Sequence, residues 1–284
     1  MEKIMACVDG SVYGQSVCDH AAWAAERLGV PVEVLHARGR RETGSVPADF
    51  SGNLEFGDRS MLMNELAEFD EQRSKLATKR GRVVLEQAVA RLKEAGVTAV
   101  TQTLRDGDIS DALTDLADET RFIIIGKRGE AADFSKGHLG SNLERVVRSS
   151  KRPVLIASRA FKPIKRFMVA FDGGRSSPQI IERLVASPLL KDVHCDLFMV
   201  GKPSGDAGQR LHEAEMRLRE AGYAVAVYAE EGDAEECIAR KVERDHIDLI
   251  VMGAYGHSRI RTLFVGSTTA EIIRGSTIPA LIIR

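Results

Sequence analysis

Ile247-Asp248-Leu249-Ile250-Val251-Met252-Gly253-Ala254-Tyr255-Gly256, followed after nine residues by Gly266-Ser267-Thr268, decides how this chain folds. The apolar, β-branched run from Ile247 to Met252 predicts a strand buried on both faces, as in a parallel sheet. Gly253 and Gly256 let the backbone turn sharply and approach a ligand closely. Thr268-Thr269-Ala270-Glu271-Ile272-Ile273-Arg274 predicts a helix that begins at Ser267 and Thr268. The free N–H groups and positive dipole end of a first helical turn suit a phosphate. The parts of a nucleotide site therefore lie near residue 284, at the far end of the chain.

Working outward, the same device occurs a second time. Arg121-Phe122-Ile123-Ile124-Ile125-Gly126-Lys127-Arg128-Gly129 precedes Gly140-Ser141, with ten intervening residues. Each copy leads into a Pro-containing strand, Arg152-Pro153-Val154-Leu155-Ile156-Ala157 or Ile278-Pro279-Ala280-Leu281-Ile282-Ile283. Each is preceded far upstream by an apolar strand ending in Asp-Gly: Ile4-Met5-Ala6-Cys7-Val8-Asp9-Gly10 and Phe167-Met168-Val169-Ala170-Phe171-Asp172-Gly173. Each also carries a Gly-Asp pair before an acidic helix, Gly107-Asp108 and Gly232-Asp233. The same landmarks in the same order argue for a tandem duplication. The boundary falls near Ser158–Lys165, giving units 1–158 and 159–284, each long enough for its own core.

Between these landmarks, strands and helices alternate. The first half predicts strands at 3–9, 32–36, 99–104, 122–125 and 154–157, with helices at 13–28, 60–95, 109–118 and 142–149. The stretch 38–58 reads as a loop. In the 60–95 helix, Leu62, Leu66, Phe69, Leu76, Val83 and Leu92 form the expected apolar stripe. The second half predicts strands at 166–171, 194–200, 223–228, 247–252 and 279–283, with helices at 176–187, 206–221, 234–245 and 268–274. This alternation gives an α/β fold, two doubly wound, Rossmann-like domains with parallel sheets covered on both faces. Ligands in such sheets sit beyond the carboxyl ends of the strands.

The bulk properties narrow the partners. A formal net charge of -1 provides no electrostatic grip on nucleic acid or an anionic membrane. Apolar runs stop well short of the ~18 residues that a span needs. Cys7, Cys18, Cys195 and Cys237 are scattered, as reduced structural thiols of a cytoplasmic protein would be. The chain enters its first strand without a signal-like segment. Neither half holds G-x-x-x-x-G-K-[S/T], so this is not a P-loop NTPase. His36 ends a buried strand and reads as packed, and Trp23 reads as core. His138 and His257 flank the glycine motifs without an orienting carboxylate, so no catalytic residue is assigned.

The pattern G-x-x-G-x₉-G-[S/T], with an Asp closing the first strand, resembles the universal stress protein family. The whole chain resembles its tandem form, an adenine nucleotide alpha hydrolase-like fold. The resemblance implies five-stranded parallel sheets in the order 3-2-1-4-5, paired through their fifth strands. It implies ATP or ADP as ligand, with Mg²⁺ held through the phosphates. Asp172 and the Val200 backbone would contact adenine. Gly253 would lie against the ribose and phosphates; Gly256, Gly266, Ser267 and Thr268 would hold the phosphates, with Arg259 and Arg261 nearby. The first half departs from the pattern by its longer spacer and by Glu130 and Asp133, carboxylates that repel a triphosphate. One competent site is therefore expected, in the C-terminal half. Asp9, Gly126, Gly129, Gly140 and Ser141 are either a relic or a site for something else.

The expected function is a nucleotide-responsive regulator in stress, acting on protein partners. Neither a base nor an acceptor for fast hydrolysis stands out. A nucleotide-independent interaction module is the alternative. A third reading, an ATP pyrophosphatase, would need Ser-Gly-Gly-x-Asp-Ser where the chain has Asp172-Gly173-Gly174-Arg175-Ser176-Ser177. The sequence leaves open whether two chains form a homodimer through exposed edges or the two halves satisfy each other.

Overall fold

The computed structural model describes residues 2–39, 56–129, 140–174, 177–254 and 267–284. Strand β1 (Lys3–Cys7) is buried on both sides, with Ile4 and Ala6 in one apolar cluster and Met5 and Cys7 in another. It pairs in parallel with β2 (Val32–Arg38) and β4 (Thr120–Gly126). β3 (Val100–Asp106) lies outside β2, and β5 (Val154–Ala157) outside β4. The second half repeats this with β6 (Arg166–Phe171), β7 (His194–Val200), β8 (Val225–Glu230), β9 (Leu249–Gly253) and β10 (Ala280–Ile283). Both halves are parallel sheets in the order 3-2-1-4-5.

The halves meet along their fifth strands. Ala280, Leu281 and Ile282 of β10 pair antiparallel with Ile156, Leu155 and Val154 of β5, making one ten-stranded sheet. The pairing implied by the resemblance thus occurs within one chain. Because the join is antiparallel, the strands of the two halves point in opposite directions, and their carboxyl ends lie at opposite edges.

Helices cover both faces. α1 (Gly14–Leu28) and α2 (Phe56–Glu94) share one apolar cluster with α5 (Ser177–Ala186) and α6 (Gly205–Glu220). α3 (Ile109–Asp115), α4 (Ser141–Ser149), α7 (Ala234–Arg244) and α8 (Ser267–Gly275) belong to the other face, where the described side chains of each join the second cluster. The repeated Gly-Asp pairs are helix starts. Asp108 accepts the Ser110 amide at 2.9 Å, and Asp233 the Glu236 amide at 3.1 Å. Each follows a glycine at positive φ, Gly107 (+107°) and Gly232 (+147°), a conformation that disfavours a side chain.

The apolar stripe expected on α2 needs correction. Leu92 is buried, but Phe69 and Leu76 are 62% and 66% exposed, and Leu66 and Val83 also face solvent. Leu62 lies outside the described side chains. The helix packs instead through Gly81, Leu85, Ala88 and Leu92. A Cβ on Gly81 would stand 2.8 Å from Leu104 Cδ1 and 2.9 Å from His36 Cδ2, so a glycine lets α2 sit tightly on the sheet. Arg91 grips Asp19 of α1 with two bonds of 2.6 and 2.8 Å, and Arg38 bonds the Ser74 carbonyl at 3.2 Å. The helix begins at Phe56, four residues ahead of the expected start.

Candidate functional site

In the C-terminal half, β6 lies between β7 and β9, so three strand ends meet at one edge of the sheet. Asp172 follows β6 directly. Its Oδ1 accepts the Gly174 amide at 2.8 Å and the Ser177 hydroxyl at 2.6 Å, an Asx-type turn leading into α5. Gly173 sits at φ +65°, where an added Cβ would stand 2.9 Å from Ala207 Cβ. Val200 closes β7, and Gly201 then donates its amide to the Glu230 carbonyl at 2.7 Å. Gly253 closes β9, and its carbonyl accepts the Thr269 hydroxyl at 3.3 Å. This bond ties the first turn of α8 to the strand end. Ser267 opens that helix, and Thr268 is exposed beside it. Asp172, Val200, Gly253 and the α8 N-terminus thus share one edge. Gly256 and Gly266 lie outside the described residues, as do His257, Arg259 and Arg261.

Arg210 was not singled out by the sequence. It donates from Nε to the Gly173 carbonyl at 2.8 Å and so holds a guanidinium beside the Asp172 turn. Its position on α6 is set by the crossover, which no local motif records.

In the N-terminal half, the corresponding residues also converge. Asp9 Oδ1 accepts the Ser11 amide at 3.1 Å. A Cβ on Gly129 would stand 2.9 Å from Asp9 Oδ2, and one on Gly140 3.8 Å from the Gly129 nitrogen. Ser141 opens α4 next to them. Gly126, however, faces a side chain: an added Cβ would be 2.7 Å from Tyr13 Cβ. The space over the first glycine of this half therefore contains Tyr13. In the sequence, Tyr13 stands four residues after Asp9 and Ser176 four residues after Asp172, a contrast in bulk between the two halves. Glu130, Asp133 and His138 lie outside the described residues.

The two halves exchange helix caps. Lys127, one residue past Gly126, donates to the carbonyls of Arg274 and Ser276 at 2.7 Å each, at the end of α8. Arg284 does the same for α4, donating to Arg148 at 2.5 Å and to Ser150 at 3.4 Å. Burial, with the charge of Arg128 beside it, pushes the Lys127 ammonium down to about 8. The α8 helix therefore begins at the C-terminal crevice and ends on a residue of the N-terminal glycine loop.

Other polar groups serve packing. Asp196 and Lys241, both fully buried, form an ion pair of 2.7 Å. Arg166 binds the same carboxylate through 3.0 and 3.1 Å contacts, and Lys241 lies 3.4 Å from the Tyr228 ring centroid. Arg166 starts β6, which puts this cluster at the strand edge opposite the crevice. His36 is buried and donates from Nδ1 to the Val8 carbonyl at 2.8 Å, while Trp23 packs part-buried near Phe161. All four cysteines are buried and unpaired, and burial pushes the Cys7 and Cys18 thiols up to about 12. A cavity of about 760 Å³ lined by Leu28, Phe122, Pro153, Leu184 and Ile283 lies between the halves, away from Asp172 and Gly253. Among the described residues, no group of three or more His, Cys, Asp or Glu could hold a metal ion. No described helix is long and apolar enough to cross a membrane.

Two parallel, Rossmann-like sheets, each with an Asp-Gly turn and a helix start at the edge where a glycine closes the fourth strand, define a class of tandem α/β proteins. The universal stress protein family model matches residues 1–158 and again 163–284, and the chain belongs to that family. It is 38% identical over 287 residues to the universal stress protein Slr1230 of Synechocystis sp., covering 100% of each chain. A solved universal stress protein of Archaeoglobus fulgidus superposes with a TM-score of 0.68 at 23% identity, covering 99% of this chain and 98% of that one. Another from the same organism, solved in complex with dAMP, matches 54% of this chain and 94% of its own, with a TM-score of 0.34 and 22% identity.

Proposed function

We propose that the chain is a nucleotide-responsive regulator of two units, residues 1–158 and 159–284, that binds ATP or ADP in its C-terminal crevice. The observation that carries this reading is the convergence of Asp172, Val200, Gly253 and the first turn of α8 at the carboxyl ends of neighbouring strands. The α8 tie through Thr269 aims a helix N-terminus at the strand end, the arrangement that favours phosphate. Gly256, Gly266, Ser267 and Thr268 would hold the phosphates, and Asp172 and the Val200 backbone would meet adenine. Mg²⁺ would arrive with the phosphates and neutralise their charge.

The N-terminal crevice is proposed to take no nucleotide. Tyr13 supports this independently of the longer spacer, because a Cβ on Gly126 would stand 2.7 Å from Tyr13 Cβ, and Gly126 corresponds to the glycine that the resemblance sets against the ribose. Asp9, Gly126, Gly129, Gly140 and Ser141 then serve to position the loop that carries Lys127. The protein would act in the cytoplasm on protein partners whose choice depends on the ligand.

Calorimetric titration of nucleotide-stripped protein with Mg-ATP tests this. One site per chain is expected, lost in Gly266→Val and retained in Gly126→Ala. No heat at any concentration would move the reading to a nucleotide-independent interaction module. Two sites would show that Tyr13 yields to the ligand.

A further inference from the structure

The cavity between the halves is walled by apolar side chains from both. Leu28 and Phe122 come from the N-terminal half, and Leu184, Leu190, Leu281 and Ile283 from the C-terminal half. All of these but Leu28 are buried. The walls converge because β10 lies against β5, while the end of α1 meets the turn after α5, where Arg27 donates to the Leu189 carbonyl at 3.1 Å. The volume of about 760 Å³ falls within the ~300–1,000 Å³ of small-molecule sites. Asp172, Val200 and Gly253 take no part in the lining, so this space is separate from the proposed nucleotide crevice.

The polar groups on the walls decide what fits. Thr114, Thr120, Ser150 and Ser187 also line the cavity, but each hydroxyl already bonds within the chain. Thr114 donates to the Ser110 carbonyl at 2.8 Å, Thr120 to the Leu116 carbonyl at 2.7 Å and Ser150 to the Arg152 carbonyl at 3.0 Å, while Ser187 accepts the Leu189 amide at 3.3 Å. A ligand rich in hydroxyls would leave its own polar groups poorly matched here. The charged lining residues are Arg121, Lys151, Arg152 and Arg183, with one acid, the exposed Asp118. Arg152 is engaged, by the Ala117 carbonyl at 3.2 Å and by Glu2 at 3.3 Å. Arg183 donates to the Lys151 carbonyl at 3.3 Å, which ties the halves together and leaves its charge unneutralised. Among the described residues, the side chains of Arg121 and Lys151 have no hydrogen bond or ion pair. Arg121 is half-buried and Lys151 exposed, so the apolar walls meet solvent at a basic rim.

From this pairing of an apolar chamber with unneutralised cations, we infer that the cavity binds a fatty carboxylate. Its chain lies along Phe122, Leu184, Leu190 and Ile283, out of water, and its head meets the rim, where guanidinium and ammonium groups make charge-assisted bonds to a carboxylate. Calorimetric titration of the full chain with decanoate, kept below its micelle concentration, tests it. One site per chain is expected. Acetate lacks the chain and decyltrimethylammonium reverses the charge of the head, and each should bind weaker by about tenfold or more. Arg121→Glu/Lys151→Glu should weaken decanoate by about tenfold while leaving the ligand-free melting temperature unchanged. Leu28→Trp, which adds bulk to the wall and leaves the rim intact, should weaken it as well. Gly266→Val, expected to lose Mg-ATP, should bind decanoate as wild type does, so the two sites stand or fall separately. No decanoate binding, equal binding of decyltrimethylammonium, or an affinity unchanged in Arg121→Glu/Lys151→Glu would overturn the inference.

Discussion

His20 illustrates how one buried side chain can carry pH dependence. It is fully buried on α1, donates from Nδ1 to the Ser16 carbonyl at 2.7 Å, and meets the Phe161 ring edge at 4.9 Å between centroids. Among the described residues its Nε2 has no hydrogen-bond partner. Burial pushes its pKa below the ordinary value, outweighing the Ser16 carbonyl and the Asp19 charge. The unfolded chain therefore takes up a proton first as pH falls through 6.5. The stability His20 contributes is complete above that pH and declines below it. Urea unfolding at pH 7 and pH 5 should show a smaller loss of stability in His20→Leu than in wild type; equal losses would show that His20 does not titrate. The buried Asp196–Lys241 pair makes a second residue-scale case. Asp196→Ala should lower stability in the same assay by less than the ~3–5 kcal/mol of a buried charge left wholly unpaired, because Asp245 still holds the Lys241 ammonium at 2.6 Å.

At the scale of elements, the exchanged caps tie each half to the other. Lys127→Met removes a cation from the last carbonyls of α8 and should lower stability by about 1 kcal/mol in chemical denaturation, with Lys127→Arg retaining most of it. The elements also show what the sequence made legible. Strand–helix alternation and the twice-repeated landmarks fixed the sheet, because buried parallel strands must be apolar throughout and a turn at a strand end needs glycine or aspartate. Contacts across the chain were less legible. Tyr13 fills the space over Gly126 from more than a hundred residues away, and glycine spacing does not record what occupies the space a glycine leaves. In α2 the apolar residues satisfied helical periodicity, yet periodicity identifies a face and not its neighbour. The packing face was set by Gly81, which admits Leu104 and His36, and by small Ala88, neither conspicuous as an apolar signal. Of the C-terminal site, the strand ends and helix start follow from local motifs, while Arg210 arrives by the crossover.

On the whole-molecule scale, β5 and β10 carry the join, assisted by Arg27, which donates from Nε to the Leu189 carbonyl at 3.1 Å across the halves. Phe161 of the connecting segment packs near His20 and Trp23. A protease site inserted between Lys162 and Pro163 should leave the cut halves co-eluting in gel filtration at micromolar concentration and separating on dilution. Separation at every concentration would mean that the connection, and not the seam, holds them. In the intact chain the effective local concentration of one half around the other is in the millimolar range for a short tether. Assembly of the ten-stranded sheet is then independent of how much protein the cell makes. A pair of identical subunits inherits every substitution on both sides at once, whereas a fused pair does not. Covalent fusion thus lets one half carry a substitution that the other does not share, as Tyr13 and Ser176 differ four residues after Asp9 and Asp172.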